Sequence, residues 1–198
     1  MPTAVSEQIA ATAARLVVEE GLDYGPAKRR AVQALGLNVR AASLPDNGQV
    51  EAEVRDYLAL FCADTQPAEL AALRAVALEW MQRLAAFRPH LSGAVWRGTA
   101  TRLNNVHLQL YCDDSKQAEL ALIDLGLTYD VGSTLGPRGE PVDVLSVSSR
   151  SAALGEHVTV HLTVLDHDDL RGALKPDASG QTQRGDLAAL RRLLEGTA

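Results

Sequence analysis

Three polar residues stand where alternating strands aim them at a common surface. In NVHLQLY (105–111), Val106, Leu108 and Leu110 fall on one face, and Asn105, His107, Gln109 and Tyr111 on the other. In HVTVHLTVL (157–165), Val158, Val160, Leu162 and Val164 oppose Thr159, His161 and Thr163. Asn105 and His107, two apart, share a face, and Thr159, His161 and Thr163 make up the polar face of the later strand. Ahead of them lies Gly98-Thr99, flanked by Arg97 and Arg102. Arg97 and Arg102 are two cations exposed by alternation or turn position. Amide, imidazole and guanidinium groups together can hydrogen-bond an anion. A transition metal is the alternative: His107 and His161, with Asp143 or Asp166, have the ligand types that suit Zn²⁺ or Mn²⁺.

Residues 93–114, GAVWRGTATRLNNVHLQLYCDD, read as a strand, a Gly98-Thr99 turn and a second strand with polar residues at i and i+2. The stretch resembles the nucleotidyltransferase fold of the polymerase-β type, as a bacterial branch with a degenerate Asp-x-Asp motif. In that family a strand ends in Gly-Ser, a short helix begins there, and the next strand carries Asp-x-Asp. A third acid comes from a later strand, and the carboxylates share two metal ions that clamp an in-line attack on a nucleotide. The resemblance places Gly98 on the glycine, Thr99 on the serine, Asn105 and His107 on the two acids, and His161 on the third. Neutral Asn and imidazole are poor ligands for Mg²⁺, which takes carboxylate oxygens. The resemblance therefore implies a catalytically degenerate relative that binds a nucleotide or other phosphate-bearing ligand, without two-Mg²⁺ nucleotidyl transfer.

These strands need a scaffold. Residues 4–20 carry Ile9, Ala13, Leu16 and Val17 at helical spacing, closed by Gly21. Pro26 opens a second helix that ends at Gly36. Asp46 with Gln49 three residues on forms a capping box, ahead of a helix to about Cys62 with Val50, Val54, Tyr57, Leu58 and Phe61 on one face. Pro67 starts another, with Leu70, Leu73, Ala77, Trp80, Met81 and Leu84 facing inward. It breaks at FRPH, because Arg88 precedes a proline. From Gly93 the period becomes two: 94–97, 105–111, 127–131, 141–148 and 157–165 read as strands. Helices at 114–125 and 186–195 complete the chain. GSTLGPRGE (132–140) reads as a long hairpin loop with Arg138 at its tip, and DHDDLR (166–171) as a turn capped by Asp168. The predicted fold is α+β: an N-terminal helical bundle over 1–90 and a nucleotidyltransferase-like mixed sheet with flanking helices over 91–198.

Composition excludes several classes. Of 198 residues, 46% are hydrophobic, enough for a core, and the net charge of −6 argues against an extended nucleic-acid surface. Aromatic residues are 4%, too few for a base-stacking platform. Lys28, Arg29, Arg30 and Arg40 form a local basic patch on an otherwise solvated helix face. No GxxxxGK[ST] loop, dinucleotide fingerprint or G-x-S-x-G elbow occurs. A cytoplasmic protein with no secretory leader or membrane span is expected, with Cys62 and Cys112 as free thiols. Its expected partner is a small phosphate-bearing ligand, with a protein partner bound through the helical half as the rival.

Overall fold

The computed structural model describes residues 4–38, 44–177 and 180–196. The chain splits into two compact units. One comprises Met1–Glu69 with Thr99–Asn104, the other Leu70–Gly98 with Asn105–Ala198.

In the first unit the apolar periodicity becomes three helices: α1 (Ala4–Glu20), α2 (Tyr24–Ala34) and α3 (Asn47–Phe61). Their core joins Ile9, Ala13 and Val17 to Ala27, Ala31, Val50 and Val54. Gly21 ends α1 at φ +68, a left-handed conformation that glycine adopts without strain. The capping box is complete: Asp46 Oδ1 accepts from Gln49 N at 2.8 Å, and Gln49 Oε1 accepts from Asp46 N at 2.9 Å. Replacing Asp46 with Ala is expected to cost about 1 kcal/mol, read as a lower urea midpoint with an unchanged slope. Phe61, predicted on the buried face, is 70% exposed, and its ring meets that of Tyr57 at 4.6 Å between centroids. The basic patch is locally engaged: Lys28 donates to Pro45 O and Asn47 Oδ1, and Arg30 pairs with Glu20. Arg40 lies outside the described residues.

Helix α4 (Gln66–Arg83) starts in the first unit and continues into the second. A 3-10 turn at Ala85–Phe87 follows, and Arg88 takes the left-handed conformation at φ 48 before Pro89. Then come β1 (His90–Ser92), α5 (Gly93–Arg97), β2 (Val106–Cys112), α6 (Lys116–Asp124), β3 (Tyr129–Leu135), β4 (Pro141–Ser151), β5 (Glu156–Asp166), β6 (Arg184–Asp186) and α7 (Leu187–Glu195). The strands form one mixed sheet in the order β3-β4-β5-β2-β1-β6, in which only β2 and β5 are parallel. The fold is α+β.

Predicted and observed elements differ at informative places. Residues 94–97 are helical, and the strand lies just before them at 90–92. Four residues are too few for a period of 2 to be told from one of 3.6. The decision falls to the flanking glycines, Gly93 (φ +73) and Gly98 (φ +83), and to tertiary contacts. The loop expected at 132–140 shortens to 136–140, because β3 runs on to Leu135 against Pro141. The cap of the 3-10 turn at 167–170 is Asp166, whose carboxylate accepts from Asp168 N, and not Asp168 itself.

The sheet buries one of its alternating sets. Val106, Leu108, Leu110, Leu145, Val147, Val160 and Leu162 are at most 2% exposed. The opposite set remains half-buried or exposed over much of its length, and it carries the polar residues.

Candidate functional site

Register decides which polar side chains meet. His107 pairs with Ser92 on one side and with His161 on the other, His161 pairs with Ser146, and Ser92 pairs with Arg184. One row therefore crosses five strands: Arg184, Ser92, His107, His161, Ser146. Asn105, two residues before His107, projects toward the same face. Its amide Nδ2 donates to His161 Nε2 at 3.1 Å, which leaves the proton on Nδ1, and Nδ1–H donates to Ser146 Oγ at 2.8 Å. The His107 and His161 rings stack at 5.0 Å between centroids. His161 thus has both nitrogens engaged and holds Asn105 in place, while His107 is exposed.

The strand-to-helix turn beside this row is Ser92-Gly93, where β1 ends and α5 begins. Ser92 Oγ donates to His107 O at 3.4 Å, and a Cβ on Gly93 would meet His107 Cδ2 at 3.6 Å. Gly98, expected to open a helix, instead closes α5: its N–H bonds Ala94 O at 2.9 Å. That end of a helix presents carbonyl oxygens, which disfavour an anion. Thr99 is buried and belongs, with exposed Arg102, to the first unit, where Arg102 N donates to Glu69 Oε2 at 3.0 Å. Arg97, Gly98, Asn105, His107 and His161 belong to the second. Of the predicted site residues, the structure gathers Asn105, His107 and His161.

Ser92, Gly93, Ser146 and Arg184 join the site without being expected there. Ser146 had a signal, the alternation of 141–148. Arg184 had none, since β6 is three residues long. Arg184 Nη1 donates to Gln109 Oε1 at 2.9 Å, which ties the row to its neighbour on β2.

Short helix α5 is held from two sides. Arg74, a buried residue of α4, donates through Nε to Val95 O at 3.2 Å and through Nη2 to Trp96 O at 3.5 Å. Burial pushes its pKa down from the usual value, and no carboxylate offsets this. On the other side, Trp96 Nε1 donates to Thr182 O at 2.8 Å, and the six-membered ring of the indole sits against Gly185, where a Cβ would clash with Cη2 and Cζ3.

The proposed metal set does not converge. Asp166 is five residues beyond His161 on β5, and Asp143 is three before Ser146 on β4. Both odd offsets put them on the opposite sheet face from the histidines. They line a separate cavity of about 690 Å³ with Cys112, Asp114 and Glu140. Arg138, at its rim, pairs with Asp169 at 2.8 Å. Among the described residues, no group of three or more His, Cys, Asp and Glu side chains is placed to hold a metal ion. Both cysteines are free, and burial, followed by the charges of Asp114, Asp113 and Asp166, pushes the Cys112 thiol up.

One further histidine is distinctive. His90, at the start of β1, is buried, donates through Nδ1 to Arg88 O at 2.8 Å, and meets Tyr111 edge-on at 5.1 Å. Burial lowers its pKa below the ordinary 6.5, against the opposing effects of the Arg88 carbonyl and Asp186. The unfolded chain therefore takes up this proton first as pH falls. His90 contributes stability that is full above about pH 6.5 and is lost as pH falls through the folded-state pKa. Urea unfolding between about pH 5 and 7 should show a shallower slope in His90→Phe, which keeps the ring contact but cannot titrate.

No protein-family model matches the chain, and no curated protein does. Among described helices, none is long and apolar enough to cross a membrane. Solved structures of the Cid1 poly(U) polymerase are similar to part of it. The form with MgGTP bound gives a TM-score of 0.34 at 16% identity, covering 48% of this chain and 32% of that one. The complex with the UTP analogue UMPNPP gives 0.33 at 15%, covering 48% and 30%. The complex with the short product ApU gives 0.34 at 16%, covering 52% and 32%. The chain thus matches about a third of the length of these polymerases.

Proposed function

We propose that this chain binds a nucleotide or another phosphate-bearing small molecule on the polar face of its sheet, without two-metal nucleotidyl transfer. The observation that carries the reading is the row Arg184–Ser92–His107–His161–Ser146 with Asn105 bridged to His161. In it, His107 and the Asn105 amide are the groups that touch ligand, and Arg184 supplies positive charge. His161 and Ser146 are positioning residues. Asn105 and His107 stand where the resembled family carries its metal-binding acids, so the residues that would bind Mg²⁺ are replaced by groups that hydrogen-bond an anion directly.

The test is a thermal-shift series of nucleotides and sugar nucleotides, each with EDTA, Mg²⁺, Mn²⁺ or Zn²⁺. A ligand at 100 times its dissociation constant adds about 2.7 kcal/mol, a rise of roughly 5–10 °C for a protein this size. The expected shift persists in EDTA and is lost in His107→Ala. A shift that requires Mn²⁺ or Zn²⁺ would replace this reading with a metal enzyme. No shift with any ligand would remove it.

A second reading, a protein partner on the helical unit, is favoured by Leu60 and Phe61, which are 76% and 70% exposed at the end of α3. It predicts a partner lost in Phe61→Glu, with any nucleotide shift retained.

A further inference from the structure

At the His90 end of β1, away from Ser92 and Gly93, the second unit carries a groove of about 740 Å³. That volume is within the range of about 300–1,000 Å³ typical of small-molecule sites. Its walls come from segments far apart in sequence: the turn after α4, the stretch after the 3-10 turn at 167–170, and the start of α7. Pro89, Leu170, Leu174, Pro176 and Leu187 make the lining largely apolar. Two cations, Arg88 and Lys175, stand at it, both exposed. Among the described residues neither has an ion-pair partner. The one carboxylate in the lining, Asp186, is committed to capping α7, where it accepts from Ala189 N at 2.8 Å. An apolar trough beside two unpaired cations is complementary to a molecule with an alkyl body and an anionic head.

We propose that this groove binds a single-chain amphiphile, an alkyl carboxylate of medium length, with its chain along Pro89, Leu174 and Leu187 and its head between Arg88 and Lys175. The site is separate from the polar row of the sheet. Its occupancy does not depend on the reading proposed for that row.

The left-handed conformation of Arg88 supplies a clean variant. Glycine accepts φ 48 without strain, so Arg88→Gly removes one cation while suiting the backbone. Calorimetric titration of the full chain with decanoate, below its micelle-forming concentration, should give saturable one-to-one binding. Arg88→Gly combined with Lys175→Gln should weaken decanoate on the order of tenfold, as expected for loss of charge-assisted contacts. Decanol binding should be equal in the two proteins. Ala188→Trp, which fills the groove from α7, should abolish binding of both. Equal affinity of the unmodified chain for decanol and decanoate would overturn the proposed head recognition. Undiminished decanoate binding in Ala188→Trp would overturn the site, and absence of decanoate binding to the unmodified chain would overturn the whole proposal. A decyl phosphate arm identifies the head: binding tighter than decanoate would replace the carboxylate with a phosphate and overturn the assignment as stated.

Discussion

Gly185→Ala is expected to lower stability by about 3 kcal/mol, a fall of roughly 6–12 °C in the melting temperature. The reason is local. Gly185 sits on β6 opposite Leu91, and the Trp96 indole occupies the space a Cβ would need. A methyl group there would enter the ring itself, against Cη2 and Cζ3. Those atoms belong to a rigid ring whose Nε1 is fixed to Thr182 O, so the clash cannot be relieved by rotating a flexible end. The indole must leave, the hydrogen bond goes with it, and α5 loses one of its two anchors. A double-mutant cycle separates this cause from a general intolerance of β6. Trp96 is half-buried, so Trp96→Ala costs about 2–3 kcal/mol alone, below the range for a core tryptophan. Adding Gly185→Ala to it should cost little more, because the new methyl then points into the space the indole vacated. If the two losses add instead, the clash is not their origin.

Trp80→Ala should cost about 3–5 kcal/mol, while Trp80→Phe costs much less. Trp80 of α4 is 1% exposed, so truncation leaves a cavity the size of an indole. Unlike Trp96, its Nε1 is buried with no hydrogen-bond partner among the described residues. An unsatisfied buried N–H costs about 1–3 kcal/mol. Phenylalanine gives up part of the packing but removes that orphan donor, and the two effects oppose each other. Urea unfolding of both variants measures the balance. Equal losses would mean that the indole N–H is satisfied in solution.

Much of the scaffold was legible along the chain because its signals are local. The Asp46–Gln49 capping box needs only four residues, and Val50, Val54 and Leu58 mark one helix stripe without reference to any partner. The alternations in β2 and β5 are equally local, and they placed Asn105, His107 and His161 on polar faces. Helix α5 was not legible. Its five residues are shorter than the pattern that would reveal it, and Arg74, Thr182 and Gly185, which hold it, come from elsewhere in the chain. The same limit moved the strand-to-helix turn from Gly98-Thr99 to Ser92-Gly93 and misplaced Phe61, whose spacing fits an apolar stripe that no partner covers.

Residue order along the chain sets the chemistry of the faces: which positions are apolar, which carry imidazole and amide groups, and that no Asp-x-Asp stands at the start of β2. Strand pairing sets which faces meet. Parallel pairing of β2 with β5 stacks His107 on His161, separated by 54 positions in the sequence, and antiparallel pairing of β4 with β5 gives His161 its Ser146. The tertiary fold also turns Asp143 and Asp166 away from the histidines and assembles a groove from Arg88, Lys175 and Leu187. Spacing along a strand fixes the side on which a residue lies, because the pleat alternates with a period of 2. The neighbour across the gap depends on strand order and register, which are set by the burial of whole faces rather than by any local run of residues.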